Sequence, residues 1–140
     1  MRIALDTTCI IAALSGTESD SLAARELMAK IQAGQLKSIV SSLVFGEVIT
    51  FEKSKGPSNL YAYFAVLQNV QARDASIAIC EAAGMLRREN GKSLKLPDAI
   101  HLATALETKV DYLVTSDKQF AKIASKYLNV KTPDQVLGAA

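Results

Sequence analysis

Four acidic residues of this 140-residue chain occupy positions at which a carboxylate could do chemistry. Asp6 and Asp117 each come shortly after a short apolar run that is typical of a β-strand, and Glu47 and Asp98 lie on predicted helices. In a parallel α/β sheet, ligands bind at the carboxyl ends of the strands. Carboxylates gathered there repel one another unless a cation neutralises them, and Mg²⁺ and Mn²⁺ prefer oxygen ligands. The four acids therefore predict a Mg²⁺ or Mn²⁺ site, which suits cleavage of a phosphodiester.

Each of these acids also has a purely structural interpretation. Asp6 could cap the helix that follows it, and Asp98 could interact favourably with the dipole of its own helix in the first turn. Glu47 could lie at the edge of an apolar stripe and reach water. Asp117 lies in a Ser-Asp-Lys-Gln run that matches a Ser-x-x-Gln capping box. The combination of the four acids, rather than any one of them, indicates a site.

The single histidine, His101, follows Asp98 by three residues and shares its helical face. It could bind the ion, contact a substrate or pack as a polar core residue, and we expect a supporting role because hard cations prefer oxygen. The hydroxyls of Thr7 and Thr115 could orient a water or a carboxylate. The sequence places no nucleophile beside His101, and it contains neither a GxGxxG nor a GxxxxGK phosphate loop.

The charge pattern is compatible with an anionic substrate. The chain has 16 Lys and Arg against 14 Asp and Glu, a net charge of +2 that by itself does not indicate nucleic-acid binding. Without the four candidate acids, 10 acids remain against 16 bases, so the rest of the protein carries +6. Lys118, Lys122 and Lys126 are spaced by four residues after Asp117. They could contact phosphates, or they could form an ordinary solvated helix face.

Short apolar strands alternating with helices must position these residues, which predicts an α/β fold with a parallel sheet covered on both faces. The predicted strands are Arg2–Leu5, Ser38–Val40, Tyr112–Val114 and an edge strand at Val130–Lys131. The predicted helices are Thr7–Leu14, Asp20–Ala33, Ser42–Lys53, Pro57–Asn69, Asp74–Asn90, Pro97–Thr108 and Asp117–Tyr127. Only short linkers separate these elements, so we expect one domain over residues 1–140.

Composition limits the class of protein. With 49% hydrophobic and 21% charged residues, the chain can form a core and does not have the composition of a disordered polymer. Two cysteines, Cys9 and Cys80, indicate neither a disulfide framework nor a thiolate metal cluster, so a reducing cytoplasm is expected. The apolar start of the chain contains Asp6, which argues against a signal peptide, and no apolar stretch reaches the roughly 20 residues that span a bilayer.

Four segments of the sequence together resemble the PIN-domain ribonucleases over about residues 2–127. In chain order they are Leu5-Asp6-Thr7, Ser42 to Val48, Leu96 to Ala105, and Leu113 to Asp117, which contain one candidate acid each. The resemblance implies a three-layer α/β/α sandwich with a central, mostly parallel sheet and Mg²⁺- or Mn²⁺-dependent endoribonuclease activity. A single-domain chain of this size most resembles the VapC-type toxins of toxin-antitoxin pairs, which implies a homodimer and an antitoxin protein that occupies the active-site groove.

The resemblance also implies roles for the candidate residues. Its metal-site positions match Asp6, Glu47, Asp98 and Asp117, with Thr115 as a nearby hydroxyl. We expect Asp6, Asp98 and Asp117 to hold the ion, and Glu47 either to bind it or to position the attacking water. Some family members carry a further acid shortly after the fourth position, where this chain has Gln119 and Ala121, so one or two ions remain alternatives.

Two other classes of function are alternatives to a nuclease. A PIN-fold module with an incomplete metal site could bind RNA or a partner protein without cleaving anything. A phospho-receiver domain is also a small α/β fold, but it needs an acceptor aspartate after a middle strand. This chain has no Asp between Asp20 and Asp74, which argues against the receiver.

Overall fold

A five-stranded, all-parallel sheet forms the centre of the computed structural model, which describes residues 1–15, 21–51 and 69–139. The strand order is β3-β2-β1-β4-β5. The strands are β1 (Arg2–Leu5), β2 (Lys37–Ser41), β3 (Val70–Arg73), β4 (Tyr112–Val114) and β5 (Val130–Lys131). The chain builds the sheet outward from β1 in both directions, so the strand order reverses beside β1. The carboxyl ends of β1 and β4, where Leu5 pairs with Val114, form the switch point at which such sheets bind ligands.

Helices cover both faces of this sheet. Within the described residues they are α1 (Thr7–Ser15), α2 (Ser21–Gln32), α3 (Leu43–Phe51), α4 (Ile77–Asn90), α5 (Leu96–Thr108), α6 (Lys118–Ala124) and α7 (Pro133–Ala139), with a 3₁₀ turn at Gly91–Ser93. Successive residues of a strand point to opposite faces. Ile3 and Leu5 of β1 accordingly join one buried cluster with α1, α2 and α3, whereas Ala4 joins a second cluster with α4, α5 and α6. The predicted three-layer α/β/α sandwich is confirmed.

The sequence analysis missed two elements. The strand β3 was not predicted because its Val-Gln-Ala-Arg sequence has no apolar run, and three of its four residues are exposed. Its pairing with β2 creates the strand. The helix α7 was not predicted, because Thr132-Pro133 has the composition of a short linker. Thr132 Oγ1 accepts from the Gln135 backbone N–H, and Gln135 Oε1 accepts from that of Thr132, a capping box that the sequence does contain.

The other predicted helices differ from the structure mainly at their ends. The helix predicted over Ser42–Lys53 is observed as Leu43–Phe51, with Glu52 and Lys53 outside the described residues. The helix predicted over Asp117–Tyr127 is shorter and covers Lys118–Ala124. The helix predicted over Pro57–Asn69 lies outside the described residues apart from Asn69, which is in a turn. Among the helices that the structure describes, none combines the length and the hydropathy needed to cross a membrane.

Candidate active site

Three of the four candidate acids line one cavity of about 320 Å³ at the switch point of the sheet. Three different elements deliver them: Asp6 directly follows β1, Glu47 lies on α3, and Asp98 lies in the first turn of α5. The full lining is Asp6, Thr7, Thr8, Ile11, Glu47, Thr50, Asp98 and His101. A larger cavity of about 630 Å³ lies beside β3 and contains none of the four acids. We place the candidate site in the smaller one, because the acids meet there.

Asp6 is buried, with 1% of its surface exposed, and is held by hydroxyl groups. Thr115 donates to Oδ2 at 2.5 Å and Thr8 donates to Oδ1 at 2.6 Å, and the carboxylate also accepts a backbone hydrogen bond from Cys9. Asp6 is thus both the cap of α1 and a wall of the cavity. Burial raises its pKa, and the hydrogen bonds only partly oppose that rise. Each oxygen of a carboxylate can accept more than one partner, so Asp6 retains capacity to bind a cation.

Glu47 forms a compact network with His101 and Thr7. His101 Nε2 lies 2.7 Å from Glu47 Oε1, and the Thr7 hydroxyl donates to the same oxygen at 2.6 Å. Burial alone would raise the pKa of Glu47, but the hydrogen bonds from His101 and Thr7 outweigh it and lower the pKa. Glu47 is therefore kept ionised even though only 32% of its side chain is exposed.

Asp98 shows the electrostatic effect of crowding most clearly. Its pKa is raised from 3.8 to about 6, chiefly by burial and next by the negative charge of Asp6. Asp117 and Glu47 contribute in the same direction, while His101 opposes them. A group at which several acids disfavour further negative charge is a group at which a cation is favoured.

Asp117 does not line the cavity with the other three acids. Its carboxylate Oδ1 caps α6 by accepting from the Phe120 N–H at 3.1 Å, and its own N–H donates to Thr115 Oγ1, which in turn donates to Asp6. The cap of α6 is thus Asp117 itself, and the interpretation of the run as a capping box that begins one residue earlier is wrong. Asp117 is connected to the site through Thr115 and through its effect on Asp98.

Thr8 is a site residue that the sequence analysis did not single out. Its hydroxyl donates to Asp6, lies 3.2 Å from Thr115 Oγ1 and accepts from the Ser116 N–H at 3.0 Å. It therefore joins the ends of β1 and β4. Two of these partners are more than 100 positions away in sequence, so no local signal could have identified the role.

The donor set fits a hard cation that is only partly coordinated by protein. Within residues 1–15, 21–51 and 69–139, no group of three or more His, Cys, Asp and Glu side chains is arranged to hold a metal ion. Mg²⁺ does not require such a group, because it commonly binds one or two carboxylates and retains waters or takes substrate phosphates. Asp6 and Asp98 offer carboxylate oxygens on the cavity wall. This chemistry suits one ion whose coordination a substrate completes.

Two of the three predicted phosphate-contacting lysines line one groove. Lys122 and Lys126 line a groove of about 460 Å³ with Ser93 and Gln119, whereas Lys118 is not part of its lining. Lys126 Nζ is held by Asn90 Oδ1 at 2.5 Å, which is a neutral partner. Among the described residues, the only ion pair joins His101 and Glu47, so no described carboxylate pairs with the lysines of the groove.

A substitution at Asp117 separates its capping role from a role at the metal. Asn caps a helix about as well as Asp, whereas Ala lacks the acceptor, so Asp117→Ala is expected to lose about 1 kcal/mol of stability and Asp117→Asn very little. If the chain is the metal-dependent ribonuclease that the resemblance implies and Asp117 also serves the ion, both variants should cleave RNA at least about tenfold more slowly. Thermal unfolding and cleavage rates measure the two effects. If Asp117→Asn cleaves RNA at the wild-type rate, the only role of Asp117 is to cap α6.

The sequence model of the PIN domain matches residues 3–126. The chain belongs to the PIN-domain family. The resemblance that the four acidic segments indicated is thereby confirmed for the family. No curated protein matches the sequence.

Solved structures share the fold of this PIN domain over nearly its whole length. A toxin-antitoxin complex from Klebsiella pneumoniae is similar at 25% identity with a TM-score of 0.68, covering 94% of this chain and 97% of that one. DNA-bound VapBC from Salmonella typhimurium has 19% identity and a TM-score of 0.71, with 95% and 98% covered. VapC20 of Mycobacterium tuberculosis, described as a sarcin-ricin loop cleaving toxin, has 19% identity and a TM-score of 0.69, with 86% and 93% covered. The PIN domain therefore has the fold of the VapC toxins.

Proposed function

We propose that this PIN domain is an endoribonuclease that hydrolyses RNA phosphodiester bonds with Mg²⁺ or Mn²⁺. The observation that carries the proposal is the cavity in which Asp6, Glu47 and Asp98 meet at the switch point of the sheet. The raised pKa of Asp98 supports it, because burial and the surrounding acids disfavour a negative charge there unless a cation neutralises it.

The residues of the chain take distinct roles in this proposal. Asp6 and Asp98 hold the cation, and Thr8 and Thr115 hold Asp6 in place. When bound, the ion supplies positive charge at the phosphate and lowers the pKa of water. Glu47 is ionised and has one oxygen without a protein partner among the described residues, so it can accept a hydrogen bond from the attacking water or bind the ion.

Lys122 and Lys126 supply the positive surface that a polyanion requires next to an acidic cavity. Their groove adjoins the elements that carry Asp98 and Asp117, since Ser93 precedes α5 and Gln119 lies on α6. We expect these two lysines to contact phosphates of the bound RNA.

We further propose that the protein is the toxin of a toxin-antitoxin pair, acts in the cytoplasm and forms a homodimer. The support is the similarity to a toxin-antitoxin complex and to VapBC complexes over more than nine-tenths of the chain. An antitoxin would then be the principal protein partner and would block the cavity. Co-expression with the neighbouring gene and co-purification of its product tests this part of the proposal.

The experiment that tests the nuclease proposal is a calorimetric titration of Mn²⁺ into the wild-type protein, followed by incubation with structured RNA with and without EDTA. We expect a saturable Mn²⁺ binding event and internal cleavage of the RNA that is at least about 100-fold faster than in EDTA. Cleavage that persists in EDTA would contradict a metal-dependent enzyme.

The alternative is a PIN-fold module that binds RNA or a partner protein without turnover. The observation that favours it is that no three metal-binding side chains of the described residues converge on one point. Mn²⁺ binding and RNA binding without any cleavage would identify this alternative. Absence of both Mn²⁺ binding and cleavage would reduce the acids to helix caps and surface charges.

A further inference from the structure

His101 lines the cavity, and the proposed function leaves its chemistry unused. It is buried, with 3% of its surface exposed, and lies one turn after Asp98 on α5. Its Nε2 lies 2.7 Å from Glu47 Oε1 and 3.2 Å from Thr7 Oγ1, and Thr7 donates to the same Glu47 oxygen at 2.6 Å. Three side chains therefore meet around one oxygen atom.

We propose that His101 and Thr7 are positioning residues that fix the carboxylate of Glu47 by its Oε1 atom and leave Oε2 as the atom that acts in the cavity. Both hydrogen bonds that side chains of the described residues make to the Glu47 carboxylate end on Oε1. A carboxylate held in this way cannot rotate freely and cannot present both oxygens to one cation. The inference rests on the proposed function and deepens it, because it assigns Glu47 a single reactive oxygen.

The arrangement of the network supports positioning rather than packing. Thr7 directly follows Asp6 and His101 shares a helical face with Asp98, so the network links the three elements that carry the three acids of the cavity. The second ring nitrogen of His101, Nδ1, is buried and has no hydrogen-bond partner. If His101 only filled space, an apolar side chain would be the more stable choice, because an unpartnered buried polar atom destabilises the folded state. The hydrogen bond to Glu47 is what an apolar residue could not supply.

Two substitutions of His101 distinguish positioning from packing. Gln places its amide nitrogen about as far from the backbone as Nε2 of histidine and can donate to Glu47, whereas Leu fills a similar volume without a donor. Loss of the hydrogen-bond partners of metal ligands typically costs 10–100-fold in metal affinity or activity. We expect His101→Leu to weaken Mn²⁺ binding and to lower kcat by at least about tenfold, with KM for RNA changed less than threefold, and His101→Gln to restore most of both values.

Packing alone makes the opposite prediction, because an apolar side chain at a buried position should then be at least as good as a buried amide. Mn²⁺ affinity and kcat that are unchanged in His101→Leu and lower in His101→Gln would overturn the proposal. The Mn²⁺ Kd is measured by calorimetry, so this result does not depend on turnover. Circular dichroism establishes whether each variant is folded.

Thr7 provides an independent pair of variants if His101→Leu does not fold. Thr7→Val has the same shape without the hydroxyl, and Thr7→Ser keeps the hydroxyl. We expect Thr7→Val to weaken Mn²⁺ binding several-fold and Thr7→Ser to bind like the wild type. Equal Mn²⁺ affinity together with equal kcat for Val and Ser would overturn the proposal even if the wild type cleaves RNA. A wild type that neither binds Mn²⁺ nor cleaves RNA would instead overturn the proposed function, and the role of Glu47 with it.

Discussion

Asp6→Asn is expected to abolish metal binding and to reduce RNA cleavage by at least about 100-fold, the largest effect of any single substitution in the site. Asp6 directly follows the central strand of the sheet. It is buried and lines the same cavity as Glu47 and Asp98. Asn keeps the size and one acceptor oxygen but removes the negative charge that attracts the cation. Calorimetry with Mn²⁺ and cleavage of structured RNA measure the two losses.

The fold should survive this change. The raised pKa of Asp6 means that folding disfavours its charged form, so the neutral Asn removes that cost. The Thr115 hydroxyl can still donate to the amide oxygen, and the Thr8 hydroxyl can rotate to accept from the amide nitrogen. Asp134→Asn is a matched control, because Asp134 lies exposed in the first turn of α7, away from the cavity. If the folded Asp6→Asn protein cleaves RNA at the wild-type rate, the cavity that contains Asp6 is not the active site.

Asp98→Asn is expected to stabilise the metal-free protein and yet to eliminate its stabilisation by Mn²⁺. The pKa of Asp98 is raised from 3.8 to about 6, so the folded state binds this proton more tightly than the unfolded state. The resulting stability is fully present below about pH 4 and is lost as the pH rises through about 6. At pH 7.5 the charged Asp98 therefore destabilises the fold, and Asn relieves this.

The expected gain in the stability of metal-free Asp98→Asn at pH 7.5 follows from two opposing effects. A negative charge in the first turn of α5 is favoured by the helix dipole by about 0.3–1 kcal/mol. The direction of the pKa change shows that burial and the neighbouring acids outweigh this gain. Because Asp98 is only half-buried, solvent screening reduces the net effect to about 1 kcal/mol, or about 3 °C in Tm for a domain of this size.

Scanning calorimetry at pH 5 and pH 7.5, with and without Mn²⁺, measures the Asp98 effect. The wild type should gain stability from Mn²⁺ at pH 7.5 and less at pH 5, where Asp98 is largely protonated. Asp98→Asn should have the higher Tm without metal at pH 7.5 and no change on addition of Mn²⁺. A lower Tm for Asp98→Asn together with a retained Mn²⁺ effect would contradict a cation site at Asp98. Asp134→Asn serves again as the control.

Local sequence signals were sufficient to predict an element wherever that element has its own apolar pattern or its own helix-start or helix-stop residue. The apolar runs of β1 and β4 predicted both strands with their observed bounds, and Pro97 marked the first turn of α5. Gly91, with a backbone φ of 66°, ends α4 where the sequence predicted a stop. The strand β3 was missed for the opposite reason, because its exposed, mixed sequence becomes a strand only through hydrogen bonds to β2.

The sequence by itself determined the α/β class, the bounds of β1 and β4 and the four candidate acids, because apolar periodicity and residue type are local properties. It also identified the PIN-domain family. Only the tertiary structure decided which acids share the cavity and which one chiefly caps a helix. It also decided that Thr8 joins β1 to β4 and that His101 holds Glu47. These contacts bridge 54 to 108 positions in sequence, and they depend on strand order and helix packing, which no local pattern encodes.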